Sequence, residues 1–562
     1  MALGPWGSLG ELLAWPVKGA VGFVHRRATG PRAVLELEVE ADGSTLEVQL
    51  RLATLRRACF DPGVCAVWLS LRGVPGGWAT ASDLRDVIFA LRTAGKPVWA
   101  YVEAPGNALA WVASACDQVW LAPGGELQAF GVGLEVTLIG EALRRLGVEV
   151  EVEAAGAYKS AGEMFTRSHA SPANLEVMTG LAQNLHALLV AGVAAGRSIS
   201  EASVHEAIAR MPLGPHEAVA SGWVDKVGYE DEAREALLRL AGSGATWQPF
   251  GTWAARTRLL RWLAGRGVRS RVAVLHLEGQ VVMDDSSSGP AIGARSVCEA
   301  LRELREDDRI GAVVLHVDSP GGSALASDLI WREVVLLQSV KPVVASFGDV
   351  AASGGYYFAA AANEIYARAN TLTGSIGVVG GKVMAREALR KLGVVVQSVD
   401  AAPHATMLSV SKPFSGEQRA RFVASLTRVY EAFVERVAAG RGRSVEEVEP
   451  HCRGRVWLGV EALEVGLIDG IGDLHDAVAR AAELAGIEPG PGTRVDLVAE
   501  TEPMWRVLLR TAYGQRVPGA LSAAQELVGE AAGPAVALLG LWQRHAGQPL
   551  ALLPIVVHRD GR

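Results

Sequence analysis

Cysteine is scarce in this chain. Five in 562 residues (Cys59, Cys65, Cys116, Cys298 and Cys452) are odd in number and scattered, with no CxxC pair. That argues against a zinc site, dithiol redox chemistry and a disulfide scaffold. HExxH and metal-spaced His/Asp clusters are missing, and the Gly-rich stretch 374–381 lacks the Lys-Ser/Thr ending of a phosphate loop. These gaps point to chemistry with no metal and no cofactor. A long apolar run is also lacking at the N-terminus: over residues 1–25, interrupted by Glu11, Pro16 and Lys18, the longest uncharged stretches fall well short of the ~20 residues that a membrane span needs. Residues 1–30 place Arg26 and Arg27 after their apolar part, the reverse of a cleavable signal. They read as an N-terminal apolar arm or a membrane-associating segment. No basic block occurs, and a net charge of −7 with pI near 6.0 gives no reason to expect nucleic acid.

What the chain does have is length for two or three domains with full cores, 49% apolar residues and 64 glycines. Such glycine usage suits the tight turns of an α/β fold. It also has an internal repeat. Pro75-Gly76-Gly77 recurs as Pro320-Gly321-Gly322, Ser82-Asp83-Leu84 as Ser327-Asp328-Leu329, and Lys96-Pro97-Val98 as Lys341-Pro342-Val343, each 245 residues on. Leu146-Gly147-Val148 matches Leu392-Gly393-Val394 at an offset of 246, and Ala194-Ala195-Gly196-Arg197 matches Ala438-Ala439-Gly440-Arg441 at 244. On this ruler Ser353 falls opposite Ala108, and Lys159 falls opposite 403–405, which holds no lysine. A serine survives only in the second copy and a lysine only in the first, the pattern that one composite site would leave.

Apolar runs at 66–71, 97–102, 272–277, 312–317 and 342–347 read as buried parallel strands. Helical spacing at 82–91, 293–305 and 325–338 between them implies right-handed βαβ crossovers. Each copy closes with a long helical stretch, 174–196 and 417–440. The expected organisation is an arm over 1–30, a first repeat over 31–242 supplying the lysine, a linker over 243–270, a second repeat over 271–490 supplying the serine, and a C-terminal extension over 491–562.

Three segments could carry chemistry. In 348–357, Ser353 lies between a strand and an Ala-rich helical run, where free amides and the helix dipole favour negative charge. It suits a nucleophile that generates an oxyanion, and equally a simple helix cap. Asp349, four residues earlier, reads as a capping or orienting residue rather than a base. In 318–323, the Pro-Gly-Gly turn at a strand end offers the Gly322 amide, which with the Gly354 amide would make a two-donor oxyanion hole. The first copy keeps the same turn without a serine, so it also has a structural reading. In 157–163, Lys159 is either a solvated surface charge or, if buried, a neutral amine able to accept the serine proton. His276 and His316 read as strand residues, and His404, near the vacated lysine position, as a loop residue.

Taken together, SPGGS (319–323), GDVAASGGYY (348–357), TLTGSIGVVG (371–380), AYKSAGE (157–163) and VWLGVEALEVGLIDGIGD (456–473) resemble the long, duplicated form of the signal peptide peptidase A (SppA) family. The resemblance runs from about 60 to 490. It implies tandem ClpP/crotonase-like domains, parallel-sheet βαβ units with flanking helices. It makes Ser353 the nucleophile, Lys159 the general base, Gly322 and Gly354 the oxyanion donors, and Ser375 the residue that orients the lysine. It further implies hydrophobic peptide substrates, released signal peptides among them, a tetrameric homo-oligomer and a membrane-associated place in the cell envelope. Met164 stands where the family commonly has proline, and the family's transmembrane anchor has no clear counterpart. Two other classes remain as alternatives: a crotonase-type acyl-CoA enzyme, and a catalytically silent envelope scaffold.

Overall fold

A computed structural model describes residues 32–41, 43–264, 271–284, 291–488, 494–498 and 550–552. The arm expected over 1–30 lies outside these residues, as does most of 491–562.

The first repeat contributes β1 (Ala33–Val39), β2 (Val64–Leu71), β3 (Val98–Val102), β4 (Gln118–Leu121), β5 (Glu149–Ala155), β6 (Lys226–Val227) and β7 (Thr246–Pro249). All but β5 form a parallel sheet in the order β6-β4-β3-β2-β1-β7. Successive side chains of a strand face opposite sides, and both sides are covered here. Val67, Leu69, Val98 and Ala100 pack with Leu84 and Ile88 of the helix Trp78–Thr93. Trp68, Trp99 and Trp120 pack on the other side with Ala233 and Leu237 of the helix Glu230–Ala241. That is why these strands are apolar almost throughout.

The stretch 243–270, read above as a linker, is more than a connection. It begins with β7, which pairs with β1, and continues into the helix Phe250–Ala264. Trp253 of that helix is buried, and its Nε1 donates to Asp61 Oδ2 at 2.8 Å. This part of the stretch completes the first domain. Burial of Trp253, with Phe250 and Ala254 packed against the same core, outweighed the Pro and Gly residues that suggested a break.

The second repeat contributes β8 (Arg271–Glu278), β9 (Gln280–Val282), β10 (Ala291–Gly293), β11 (Ile310–Ser319), β12 (Gly321–Ser323), β13 (Val343–Ala352), β14 (Glu364–Ala367), β15 (Leu372–Gly374), β16 (Val378–Met384), β17 (Val456–Leu458) and β18 (Gly470–Ile471). From the C-terminal extension come β19 (Arg494–Val498) and β20 (Leu550–Leu552). One sheet runs β17-β15-β13-β11-β8-β19, with β14 and β18 branching from β13. Its central pairs are parallel. The strand expected over 342–347 continues to Ala352 as β13, so it delivers the chain directly to Ser353.

A second sheet, ordered β10-β9-β12-β20-β16-β5, joins the two repeats. β5 of the first lies antiparallel to β16 of the second over seven residue pairs, from Val378↔Ala155 to Met384↔Glu149. The duplication does not produce this pairing twice. Opposite β5 on the repeat ruler lie 395–401, and opposite β16 lie about 133–139; neither stretch is a strand. Each copy has therefore lost the backbone element that the other retains.

Ion pairs and caps hold the repeats together. Arg368 Nε lies 2.7 Å from Asp83 Oδ1, and the same guanidinium pairs with Asp86. Arg56 meets Asp473 at 2.5 Å. Thr45 Oγ1 donates to Asp318 Oδ2 at 3.1 Å. The helix Pro172–Arg197, among the described residues the one long and apolar enough to cross a membrane, lays Val177, Leu181 and Leu185 against Ala352, Leu372, Val456 and Leu458. It thus backs the strand end that carries Ser353.

Candidate active site

β13 ends at Ala352, and the short helix Gly354–Ala359 begins one residue later. Ser353 makes the turn between them at φ +56°, ψ −113°. A non-glycine residue at positive φ is strained and persists only where its surroundings over-determine it. They do so here: Ser353 N–H donates to Gly374 O at 2.8 Å, and Ser353 O accepts from Tyr357 N–H at 2.8 Å. Ser375 is likewise held at φ +51°, its N–H donating to Arg455 O at 2.7 Å.

Lys159 follows β5, and the pairing of β5 with β16 brings it to this turn. Its Nζ lies 2.7 Å from Ser353 Oγ, 2.9 Å from Ser375 Oγ and 2.8 Å from Ser375 O. All three residues are buried, and the two repeats meet within one chain. Burial holds the lysine pKa well below its usual 10.5, and among the described residues no carboxylate opposes the shift. A lysine so placed is not a solvated surface charge.

The two glycines of the expected oxyanion hole are also adjacent. A Cβ on Gly354 would lie 3.1 Å from Gly322 N and 2.6 Å from Ser327 Oγ. A Cβ on Gly322 would lie 2.1 Å from Val281 O. Only glycine permits that approach of β12 to β9 and to the Ser353 turn.

The first copy's Pro-Gly-Gly turn is used otherwise. Asp349 of the second copy accepts from Gly77 N–H at 2.6 Å, Thr80 N–H at 3.0 Å and Thr80 Oγ1 at 2.8 Å. It caps the helix Trp78–Thr93 of the other repeat rather than its own turn. A carboxylate thus accepts from the amide of Gly77, the counterpart of Gly322 in the first copy. Asp318, beside it, is pushed up to about 7 by burial and by the charge of Asp349.

The histidines lie outside this constellation. His316 stacks on His276 with ring centroids 5.4 Å apart, and burial lowers its pKa to about 3. His404 sits 3.6 Å from Glu417.

Sequence reasoning missed the segment 453–455. Gly454, at φ +81°, packs so closely that a Cβ there would come within 2.6 Å of Lys159 N and 2.7 Å of Lys159 Cβ. Tyr158 N–H donates to Arg453 O at 2.7 Å, and Gly454 N–H to Ile376 O at 2.7 Å. One short turn therefore buttresses both the lysine and the Ser375 strand. Its only signal was a glycine between two arginines, which reads as an ordinary turn.

Comparison with known proteins bears on the whole chain. The family model described as Peptidase family S49 matches residues 90–243 and again 335–488. The two matches stand 245 residues apart, the offset of the internal repeat. The chloroplastic serine protease SPPA of Arabidopsis thaliana is 31% identical over 437 residues, covering 77% of this chain and 64% of that protein. This chain thus spans a little under two thirds of that relative. Protease 4 of Salmonella typhi is 31% identical over 446 residues, covering 77% of this chain and 71% of the relative. Among solved structures, a ClpP1 mutant from Listeria monocytogenes aligns with 39% of this chain and 99% of its own, at 16% identity and a TM-score of 0.25, a likeness too slight to build on.

Proposed function

Since the chain belongs to peptidase family S49 and is a serine protease of that family, we propose that Ser353 and Lys159 form its catalytic dyad and that it cleaves apolar peptides in extended conformation. The observation that carries this reading is the 2.7 Å contact between Lys159 Nζ and Ser353 Oγ in a buried setting without a carboxylate among the described residues.

The steps follow from that contact. Neutral Lys159 takes the proton of Ser353 as Oγ attacks the peptide carbonyl carbon. The carbonyl oxygen gains negative charge beside the Gly322 and Gly354 amides, each of which would contribute about 3 kcal/mol of transition-state stabilisation. Lys159 then returns the proton to the leaving amine, and the C–N bond breaks. Water, deprotonated by Lys159, attacks the carbonyl carbon of the Ser353 ester; the C–Oγ bond breaks, Lys159 returns the proton to Oγ, and the acid product leaves. Ser375, in contact with Nζ through two oxygens, keeps the amine aimed at Oγ through both halves of the cycle.

Released signal peptides are apolar and lack fixed structure, which fits them to cleavage as extended chains. Exposed apolar side chains where the two repeats adjoin support the expected homo-oligomer: Leu146 and Leu392 are exposed on neighbouring turns, where Ala388 N–H donates to Gly147 O at 3.0 Å. Light scattering of the purified chain tests that assembly. Membrane association, the family's habit by resemblance, is tested by flotation with lipid vesicles.

The deciding experiment compares hydrolysis of an apolar peptide library by wild type, Ser353→Ala and Lys159→Ala. Both substitutions should abolish turnover while the folded-state circular dichroism is kept, and a fluorophosphonate should label Ser353 in wild type alone. Full turnover by Lys159→Ala would refute the dyad.

A further inference from the structure

The sheet that joins the repeats contains one strand that belongs to neither. β20 lies between β12 and β16, antiparallel to both. The register sets Gly321 against Leu552, Gly322 against Ala551 and Ser323 against Leu550 on one side, and Val379 against Leu550 on the other. Without β20, β12 and β16 would face each other across a gap one strand wide, each presenting an unpaired edge. Such a gap accepts a single extended chain with ladder hydrogen bonds on both flanks.

Every group assigned to the reaction borders this gap. Gly322 lies on β12. Ser375 precedes β16 by three residues, and Lys159 follows β5, the strand beyond β16, by four. The helix Gly354–Ala359, entered through Ser353, contacts β20 as well. A peptide presented to Ser353 with its carbonyl against Gly322 would have to run where Leu550–Leu552 now runs.

We propose that Leu550–Leu552 is a tethered occupant of the peptide cleft, holding the place of substrate until a substrate displaces it. The inference rests on the dyad reading above, which makes this gap the peptide cleft. Leu-Ala-Leu has the apolar character assigned to the substrates. In the sequence, Pro549 and Pro554 flank it closely. Proline cannot donate to a ladder, the described pairing spans the three residues Leu550–Leu552, and a contact that short yields to a competitor. Tethering compensates for brevity, because an attached segment meets its site at an effective concentration of about millimolar. The result is competitive self-inhibition within one chain: a raised KM and an unchanged kcat.

The test uses the full chain with Ala551→Pro, which removes the central ladder donor of β20. In a Ser353→Ala background, the affinity for a fluorescent apolar peptide is read by polarisation, without need of turnover. Adding Ala551→Pro should tighten binding roughly three- to tenfold, the factor by which a tethered competitor of weak intrinsic affinity raises an apparent Kd. With Ser353 present, KM should fall by the same factor and kcat should stay. Leu550→Gly combined with Leu552→Gly serves the same test should the proline disturb folding. Equal peptide affinity with and without these substitutions overturns the inference. A wild-type chain that fails to hydrolyse any peptide overturns the dyad reading instead, and the binding comparison still decides the role of β20.

Discussion

Replacing Lys159 with methionine tests the state of the amine through two independent readouts. Methionine fills a similar volume but takes no proton. In the wild type, burial lowers the folded pKa of Lys159 below the 10.5 of the unfolded chain. Between those two values the unfolded chain binds one more proton than the folded one, so stability rises with pH. The slope is about 1.4 kcal/mol per pH unit, and the rise ends above 10.5, where both states are neutral. As the pH falls, the wild type therefore loses stability relative to the variant. It stops losing only below the folded pKa, where the native amine charges as well. From pH 9.5 to 7.5 the difference should grow by about 3 kcal/mol in favour of Lys159→Met, provided the folded pKa lies below that range. Methionine also strips Ser375 O of its donor, which costs about 1–3 kcal/mol at every pH. The diagnostic quantity is thus the slope, not the offset. Urea unfolding followed by tryptophan fluorescence at pH 7.5, 8.5 and 9.5 measures it. The second readout is catalytic. Wild-type kcat/KM should rise with pH through the same depressed pKa, and the variant should lose about two to four orders of magnitude. A stability difference independent of pH, together with a flat rate profile, would show that the ammonium stays charged in the folded protein and would refute the base role.

Other substitutions separate positioning from chemistry. Gly454→Ala places a methyl group within 2.7 Å of Lys159 Cβ at a residue held at φ +81°. The lysine must move, and kcat should drop about a hundredfold with KM near wild type; steady-state kinetics on one peptide reads both. Ser375→Ala keeps the carbonyl contact to Nζ and loses the hydroxyl, so kcat should fall only about five- to tenfold, the worth of one hydrogen bond of roughly 1 kcal/mol. Asp349→Ala leaves the Gly77 and Thr80 amides without their acceptor and should destabilise the fold by about 1–3 kcal/mol, seen as a lower urea midpoint. Asp349→Asn, which still offers an oxygen, should cost less than Asp349→Ala.

Much of the fold was legible because its signals are local. The strands at 66–71, 312–317 and 342–347 are runs of apolar residues, and both faces of a covered parallel sheet demand that. The long helices starting near 172 and 416 carry a cap before them and an apolar stripe along them. The linker was misread because β7 and the helix Phe250–Ala264 draw their order from contacts with β1 and Asp61, partners two hundred residues away. Gly454 and the cap formed by Asp349 were invisible for the same reason: each acts on a residue of the other repeat.

The sequence alone determined that the domain occurs twice and that each copy had lost what the other kept. Duplication is written in residue identities at a constant offset, and it needs no coordinates to be seen. Only the tertiary structure decided that the two remnants meet. β5 of one copy pairs with β16 of the other, which puts an amine 2.7 Å from a hydroxyl, and burial there lowers the pKa of the amine. Distance and desolvation are properties of packing, and no stretch of the chain read by itself contains either.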